Sequence, residues 1–402
     1  MPSPNVYDVT TFTSPTGTSP YTDVGKVMNE IIANIKANQT TQTTRPGAVI
    51  YIPPGHYPLF TTVEIDISFL QIKGSGHGFL SQETRDYDTS YTPATWQETI
   101  PGGTHIICKF SPQGAQSAFH VNRTGNFRQV GRINAVEFYD FMIDGADVNS
   151  RPHTAGPSYK IGIAVDSAAD ALIFSGMGFT DLFAGVIMHS ADGTLITNSR
   201  FTELGNCILL YDYSTSVKIS NNYLLSDWTG YSVYASNGDN LMVTNNNISY
   251  GASVYLTACT YASVIGNHMV SGWPHMIYMD VTNDSVIADN HIRRPDNNQF
   301  SNGNDDTQGI VYSNGARNSI TGNRITVELT AANVRLPAGG ILNAIWIDGG
   351  DAFVFGNRIT CATGLNPMLH VTPGAANARI IYSATTAQNG NQSSSTVFVA
   401  TP

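Results

Sequence analysis

One short pattern recurs along the chain and sets what it can fold into: two β-formers, two or three small or polar residues, then an apolar residue. It reads LIFSGMGF (172–179), LITNSRF (195–201), KISNNYL (218–224), MVTNNNI (242–248), VIGNHM (264–269), VIADNHI (286–292), SITGNRI (319–325) and VFGNRI (354–359). Aligned two residues before the final apolar position, the copies fall at 177, 199, 222, 246, 267, 290, 323 and 357. The steps are 22, 23, 24, 21, 23, 33 and 34 residues, and VEFYDFMI (136–143) is an earlier copy at a longer step. A unit this short cannot bury its own apolar face, so such units must stack. Strands of three to five residues at a period near 23 predict an all-β, single-domain, right-handed parallel β-helix. Leucine-rich repeats share the period, but their leucine consensus is absent.

Asn suits a coil corner because it tolerates left-handed backbone angles and bonds its own main chain. Stacked coils then align the Asn residues in a ladder, so their role is structural. The two long steps place excursions at 293–309 and 327–342, and a third polar excursion covers 80–105 and carries Trp96. Val24, Val27, Met28, Ile31, Ile32 and Ile35 recur at helical spacing. They predict a helix within an N-terminal arm (1–45) that caps the open end of the first coil. Coils occupy 46–370, and 371–402, with QNGNQSSS, reads as a C-terminal tail. GSGHGF (74–79) opens no helix, so it reads as a tight corner and not as a phosphate loop.

Composition narrows the function. Charged residues make up 12% of 402, about half the usual share, and the net charge is -10. An acidic, Lys-poor chain is unsuited to nucleic acid or to polyanionic glycans, while neutral ligands remain open. No apolar run is long enough to span a bilayer. MPSPNVYDV lacks the basic start and apolar stretch of a signal peptide, so the chain is expected to be cytoplasmic, or secreted if a leader has been removed. Cys108, Cys207, Cys259 and Cys361 form no C-x-x-C pair and read as buried free thiols. The ten His residues show no metal-binding spacing.

A β-helix has a solid core, so a site must lie on an outer face or between subunits. The acids to consider are Glu203, Asp212, Asp227, Asp239, Asp280, Asp284, Asp289, Asp296, Asp305, Asp306, Asp348 and Asp351. Glycosyl transfer or hydrolysis needs two carboxylates across the glycosidic bond. Asp227 and Asp239 lie 12 residues apart, half a coil. That spacing puts them on opposite rims of one groove or on opposite sides of the coil. Trp96, Trp228, Trp273, Tyr211, Tyr213, Tyr223, Tyr231 and Tyr234 offer ring faces to sugars, or simply serve as strand residues.

The segments PGAVIYIPPGHYPL (46–59), GHGF (76–79), WQETIPGGTHI (96–106), GNC (205–207), NHIRR (290–294) and NGNDDTQGIV (302–311) resemble the inulin fructotransferase family. The likeness runs from VYDVTT (6–11) to about GGDA (349–352). It implies a right-handed β-helix, a homotrimer with active sites at subunit interfaces, a fructan substrate, and no metal or organic cofactor. It also implies a catalytic Asp and Glu between the GNC and NHIRR motifs. The Glu position falls on Asp239; the Asp position falls near Thr229, where the nearest acid is Asp227. The expected catalytic pair is therefore Asp227 and Asp239. Trp96, Glu203, Asp212, Arg293, Arg294, Asp305 and Asp306 are the expected substrate-binding residues. The implied reaction is intramolecular fructosyl transfer that releases a cyclic difructose anhydride from inulin. Three alternatives stand beside it: a difructose anhydride hydrolase, a non-catalytic glycan-binding β-helix, and a pectate-type lyase. Only six Lys argue against the lyase, and Arg293 and Arg294 argue for it.

Overall fold

The computed structural model describes residues 5–38, 47–78, 102–111, 114–125, 127–145, 159–227, 230–272, 275–296, 309–330, 333–334, 342–361, 368–383, 388–389 and 397–401. By contact density the chain divides into two units, Met1–Gly205 and Asn206–Pro402. Each is a stack of coils with three short strands per turn, and every strand pairing described is parallel. The predicted parallel β-helix is thus the observed fold. Short parallel strands joined in this way wind right-handed.

In the second unit, face 1 runs from Lys218–Ser220 through Met242–Thr244, Ser263–Ile265, Val286–Ala288 and Ser319–Thr321 to Phe353–Phe355. Face 2 runs from Tyr223–Ser226 through Asn247–Ser249, His268–Val270, His291–Arg294 and Arg324–Val327 to Arg358–Cys361. Face 3 runs from Asn206–Tyr211 through Tyr231–Ser236, Ala252–Thr257, Ile277–Asp280 and Val311–Ser313 to Asn343–Ile347. One side-chain column per face points inward because the strand period is two. Val264, Ile287 and Ile320 on face 1, Ile248, Met269 and Ile292 on face 2, and Val254, Ile277 and Val311 on face 3 are all fully buried. Burying each is worth about 1.5–3 kcal/mol.

The marked Asn positions form the ladder. Asn222, Asn246, Asn267, Asn290 and Asn323 each donate a side-chain N–H to the next Oδ1, at 3.1, 3.0, 3.0, 2.9 and 2.9 Å, ending on Asn357. The residue before each rung turns the chain with a positive φ: Asn221, Asn245, Gly266, Asp289, Gly322 and Gly356. In the first unit Ser199 holds the equivalent position of the repeat, its Oγ accepting from the Met177 amide at 3.2 Å.

The predicted helix spans Pro20–Asn38 and buries Val24, Val27, Met28, Ile31, Ile32 and Ile35 against strands Gly55–Leu59 and Val63–Ile65. Gly25 sits where a Cβ would lie 1.8 Å from the Thr61 carbonyl oxygen, so no other residue fits that contact. Among the described residues no helix is long and apolar enough to cross a membrane. Cys108, Cys207 and Cys259 are buried free thiols and Cys361 is half-buried.

The C-terminal segment departs from expectation. Past residue 371, Arg379–Ser383 pairs with Phe353–Phe355, and Val397–Thr401 pairs with Arg379–Ser383. Gln388–Asn389 pairs with Leu369–His370. The stretch read as a tail extends the coil sheets. Its backbone completes the parallel ladders, although its side chains no longer keep the apolar spacing that marked the earlier coils. The excursion read at 80–105 ends sooner than expected, because Thr104–Cys108 is a strand; residues 80–101 lie outside the described residues. So do 297–308 of the second excursion, and 331–332 and 335–341 of the third.

Candidate functional site

The structure does not bring Asp227 and Asp239 together within one chain. Asp227 follows the face-2 strand Tyr223–Ser226, while Asp239 lies in the corner after the face-3 strand Tyr231–Ser236. That strand of 6 residues stands between them, roughly 16 Å of extended backbone. Asp239 is exposed and accepts the Thr260 hydroxyl at 2.6 Å, within a corner ladder Thr215–Asp239–Thr260–Asn283. Asp212 is an exposed corner residue with φ 53°. Glu203 closes a strand of the first unit and accepts from the Thr180 hydroxyl at 3.3 Å.

Arg293 and Arg294 are used by the fold. Arg293 forms a bidentate pair with Glu328 on the next coil, at 2.9 and 2.8 Å. Arg294 is fully buried. Both lie on the strand His291–Arg294 rather than on an excursion, which is why sequence spacing misplaced them. Trp96, Asp305 and Asp306 lie outside the described residues, as do Trp228 and Trp273.

The outer surface of face 3 in the second unit carries a feature that spacing alone did not show. Strand register aligns Tyr234, Tyr255, Tyr278, Tyr312, Trp346 and His370 in one outward column. The rings of Tyr234–Tyr255, Tyr255–Tyr278 and Tyr278–Tyr312 stack at centroid distances of 5.8, 4.4 and 4.6 Å and interplanar angles of 13–19°. Rings that cover one another's faces turn their edges and hydroxyls outward. This column therefore offers a row of hydroxyls to a ligand, where the sequence suggested ring faces.

Beside it runs a polar column: Ser236, Thr257, Asp280, Asn314, Asp348 and Thr372. Asn314 donates its side-chain N–H to Asp280 Oδ1 at 2.8 Å, and Thr372 bonds Asp348. The Tyr312 hydroxyl lies beside both Asp348 and Asn314. Burial, aided by Asp348 and Asp280, pushes the Tyr312 phenol up to about 12. Burial likewise raises Tyr255 and Tyr278, so these phenols stay protonated and able to donate at neutral pH. Asp280 and Asp348 sit two coils apart, roughly 9–10 Å by strand spacing. That is the upper end of the separation of glycosidase carboxylate pairs. Next to them Trp346 and His370 pack at 4.2 Å, and Trp346 Nε1 and His370 Nδ1 are buried without a hydrogen-bond partner among the described residues. Burial lowers the His370 imidazole below its ordinary range, which keeps it neutral. Asp280 and Asp348 were among the acids considered from sequence. The signal that would have singled them out is their shared place after the outward Tyr278 and Trp346, on strands aligned by the repeat.

In the first unit, His120 bridges two carboxylates, with Nδ1 at 2.8 Å from Glu64 and Nε2 at 2.9 Å from Asp166. The bond to Asp166 holds the imidazolium above its ordinary range and pulls the Asp166 carboxyl below its own. The His120 contribution is fully present below the unfolded value and is lost as pH rises through the raised folded value. The Asp166 contribution is present above the usual carboxylate range and is lost on acidification. Melting temperature should thus fall between about pH 6.5 and the raised His120 value, by about 1 kcal/mol in stability because the carboxylates are solvated. His120→Gln should flatten that limb in a melting series over pH; an unchanged slope would assign the limb to other groups.

The family described as "Beta helix repeat of Inulin fructotransferase" matches residues 289–402. The chain is 42% identical over 399 residues to an inulin fructotransferase (DFA-I-forming) from Arthrobacter globiformis, covering 99% of each chain. A crystal structure of a DFA-IIIase from Arthrobacter chlorophenolicus A6 without its lid superposes with a TM-score of 0.86 at 34% identity, covering 100% of both chains. The C387A mutant of that enzyme in complex with DFA-III gives 0.87 at 33% identity and 99% coverage of each chain.

Proposed function

Because this chain belongs to the inulin fructotransferase family, we propose that it releases a cyclic difructose anhydride from inulin-type fructan by intramolecular fructosyl transfer. The observation that carries this reading is 42% identity across 99% of both chains to a DFA-I-forming enzyme. The low charge of the chain agrees with a neutral glycan. One carboxyl protonates the oxygen leaving the fructosyl anomeric carbon. A carboxylate takes the proton of the hydroxyl that attacks that carbon from the neighbouring fructose. A disaccharide closed by two glycosidic bonds leaves, and the polymer shortens by two units.

Within one chain, the carboxylates arranged for this work are Asp280 and Asp348, with the Tyr312 hydroxyl and the Asn314 amide between them to hold sugar hydroxyls. A second arrangement involves assembly. In a homotrimer with sites at subunit interfaces, Asp227 of one subunit meets Asp239 of its neighbour, which the intervening strand forbids within a chain. Light scattering should then report three chains per particle. Mixing Asp227→Asn with Asp239→Asn protein should restore part of the turnover that each lacks alone.

Incubation with inulin followed by chromatography tests the function. A cyclic disaccharide is expected. Opening of added difructose anhydride without its formation from inulin would favour the hydrolase reading, which the likeness to DFA-IIIase supports. Inertness towards both would overturn the proposal.

A further inference from the structure

We infer that the first unit carries an accessory glycan site, separate from face 3 of the second unit, in which Phe69 is a stacking platform for a linear fructan chain. Phe69 precedes the strand Leu70–Lys73, at a corner where the backbone must turn left-handed. Strand register places Gly47, Ala135, Ala171 and Gly193 at the equivalent corners of the neighbouring coils, each also with positive φ. A column that needs this conformation takes Gly readily and small residues at modest cost; a bulky aromatic there is an outlier. The Phe69 backbone is nonetheless held on both sides, its N–H donating to the Asn134 carbonyl at 2.8 Å and its carbonyl accepting from the Ala48 N–H at 3.1 Å.

The consequence is a ring that stands alone among the described residues. It is 53% exposed, and its column neighbours are a glycine and an alanine, too small to cover either face. This is the reverse of the face-3 tyrosines, whose rings hide one another. A concavity opens on each side of Phe69. One is about 340 Å³, beside Lys36, Asp66 and Arg123. The other is about 370 Å³, rimmed by Asn5, Gln71 and Glu137. Each is at the lower end of the size that holds small ligands.

The electrostatics favour a neutral, hydroxyl-rich occupant. Lys36 Nζ lies 2.5 Å from Asp66 Oδ2. The Arg123 guanidinium is spent on the Asp66, Gly131 and Arg132 carbonyls at 2.9–3.3 Å. Gln71 donates to Glu137 Oε2 at 3.0 Å. Among the described lining residues the cations Lys36 and Arg123 are matched in number by the carboxylates Asp66 and Glu137, leaving no net positive charge to draw in a polyanion, while ammonium, amide and carboxylate groups line an open aromatic face. A sugar lays its C–H face on such a ring and turns its hydroxyls to the polar rims. The choice of fructan as the sugar rests on the proposed function.

Native electrophoresis in gels cast with inulin tests the site. The parent protein should be retarded, and Phe69→Ala should lose most of the retardation while Phe69→Trp keeps it. Phe69→Ala should also raise KM for long inulin about 3- to 10-fold. Its kcat on a short fructo-oligosaccharide and its melting temperature should be unchanged, since the ring is exposed. Equal retardation of parent and Phe69→Ala, or none in either, overturns the site even if difructose anhydride is formed. Phe69-dependent retardation without any product would instead sink the proposed reaction and leave the groove standing.

Discussion

Asp280→Asn and Asp348→Asn should each lower turnover on inulin at least about a hundredfold, because general acid or base help from one group is worth roughly 10²–10⁴ in rate. Neither change should unfold the protein. Both residues lie on the outer surface of face 3 and are only half-buried, and Asn keeps the shape and one acceptor oxygen. The melting temperature is expected to stay within a few degrees. Tyr312→Phe serves as the companion variant. It removes the hydroxyl beside Asp348 and Asn314 but leaves both carboxylates, so it should raise KM more than it lowers kcat. Turnover within about threefold of the parent for either Asp variant would remove the pair from the chemistry. The subunit-bridging pair of Asp227 and Asp239 would then be the one to pursue.

Asn267→Ala is expected to be the most destabilising single substitution proposed here. Asn267 is fully buried, and its amide serves both neighbouring rungs. Its Oδ1 accepts from the Asn246 backbone and side-chain N–H groups at 2.9 and 3.0 Å. Its Nδ2 donates to the Val243 carbonyl at 2.8 Å and to Asn290 Oδ1 at 3.0 Å. Alanine strands several of these groups away from water, and each orphan costs about 1–3 kcal/mol. A total near 3 kcal/mol or more corresponds to a melting temperature lower by about 3–5 °C for a chain of this size. Asn247→Ala, the exposed residue that follows the Asn246 rung, should stay within about 0.5 kcal/mol. Equal melting of the two variants would show that the ladder follows from coil stacking and does not support it.

The two substitutions also separate what spacing reveals from what it hides. The eight marked positions are recoverable by counting, because each coil must return to the same place before the next can pair with it. The capping helix was legible for a similar reason: six apolar residues at helical spacing describe one buried stripe. Resemblance in short motifs led to the right family.

The site was less legible. Counting along the chain tells which residues share a column, but not which side of the coil that column faces or whether a neighbour covers it. Asp227 and Asp239 are half a coil apart in number, yet a full face-3 strand separates them in space. Arg293 and Arg294 looked like ligands for sugar hydroxyls, and strand pairing commits one to Glu328 and buries the other. The tyrosines offered ring faces on paper; stacking at 4.4 and 4.6 Å turns them edge-on. Phe69 ran the other way, an unremarked residue made prominent by the glycine and alanine that register sets beside it. Period is a property of the chain, carried by local backbone preference and the alternation of apolar residues, and so it could be read from the letters. Convergence of side chains from different coils depends on where each corner turns and what stacks on it, and those are fixed only when the coils close on one another.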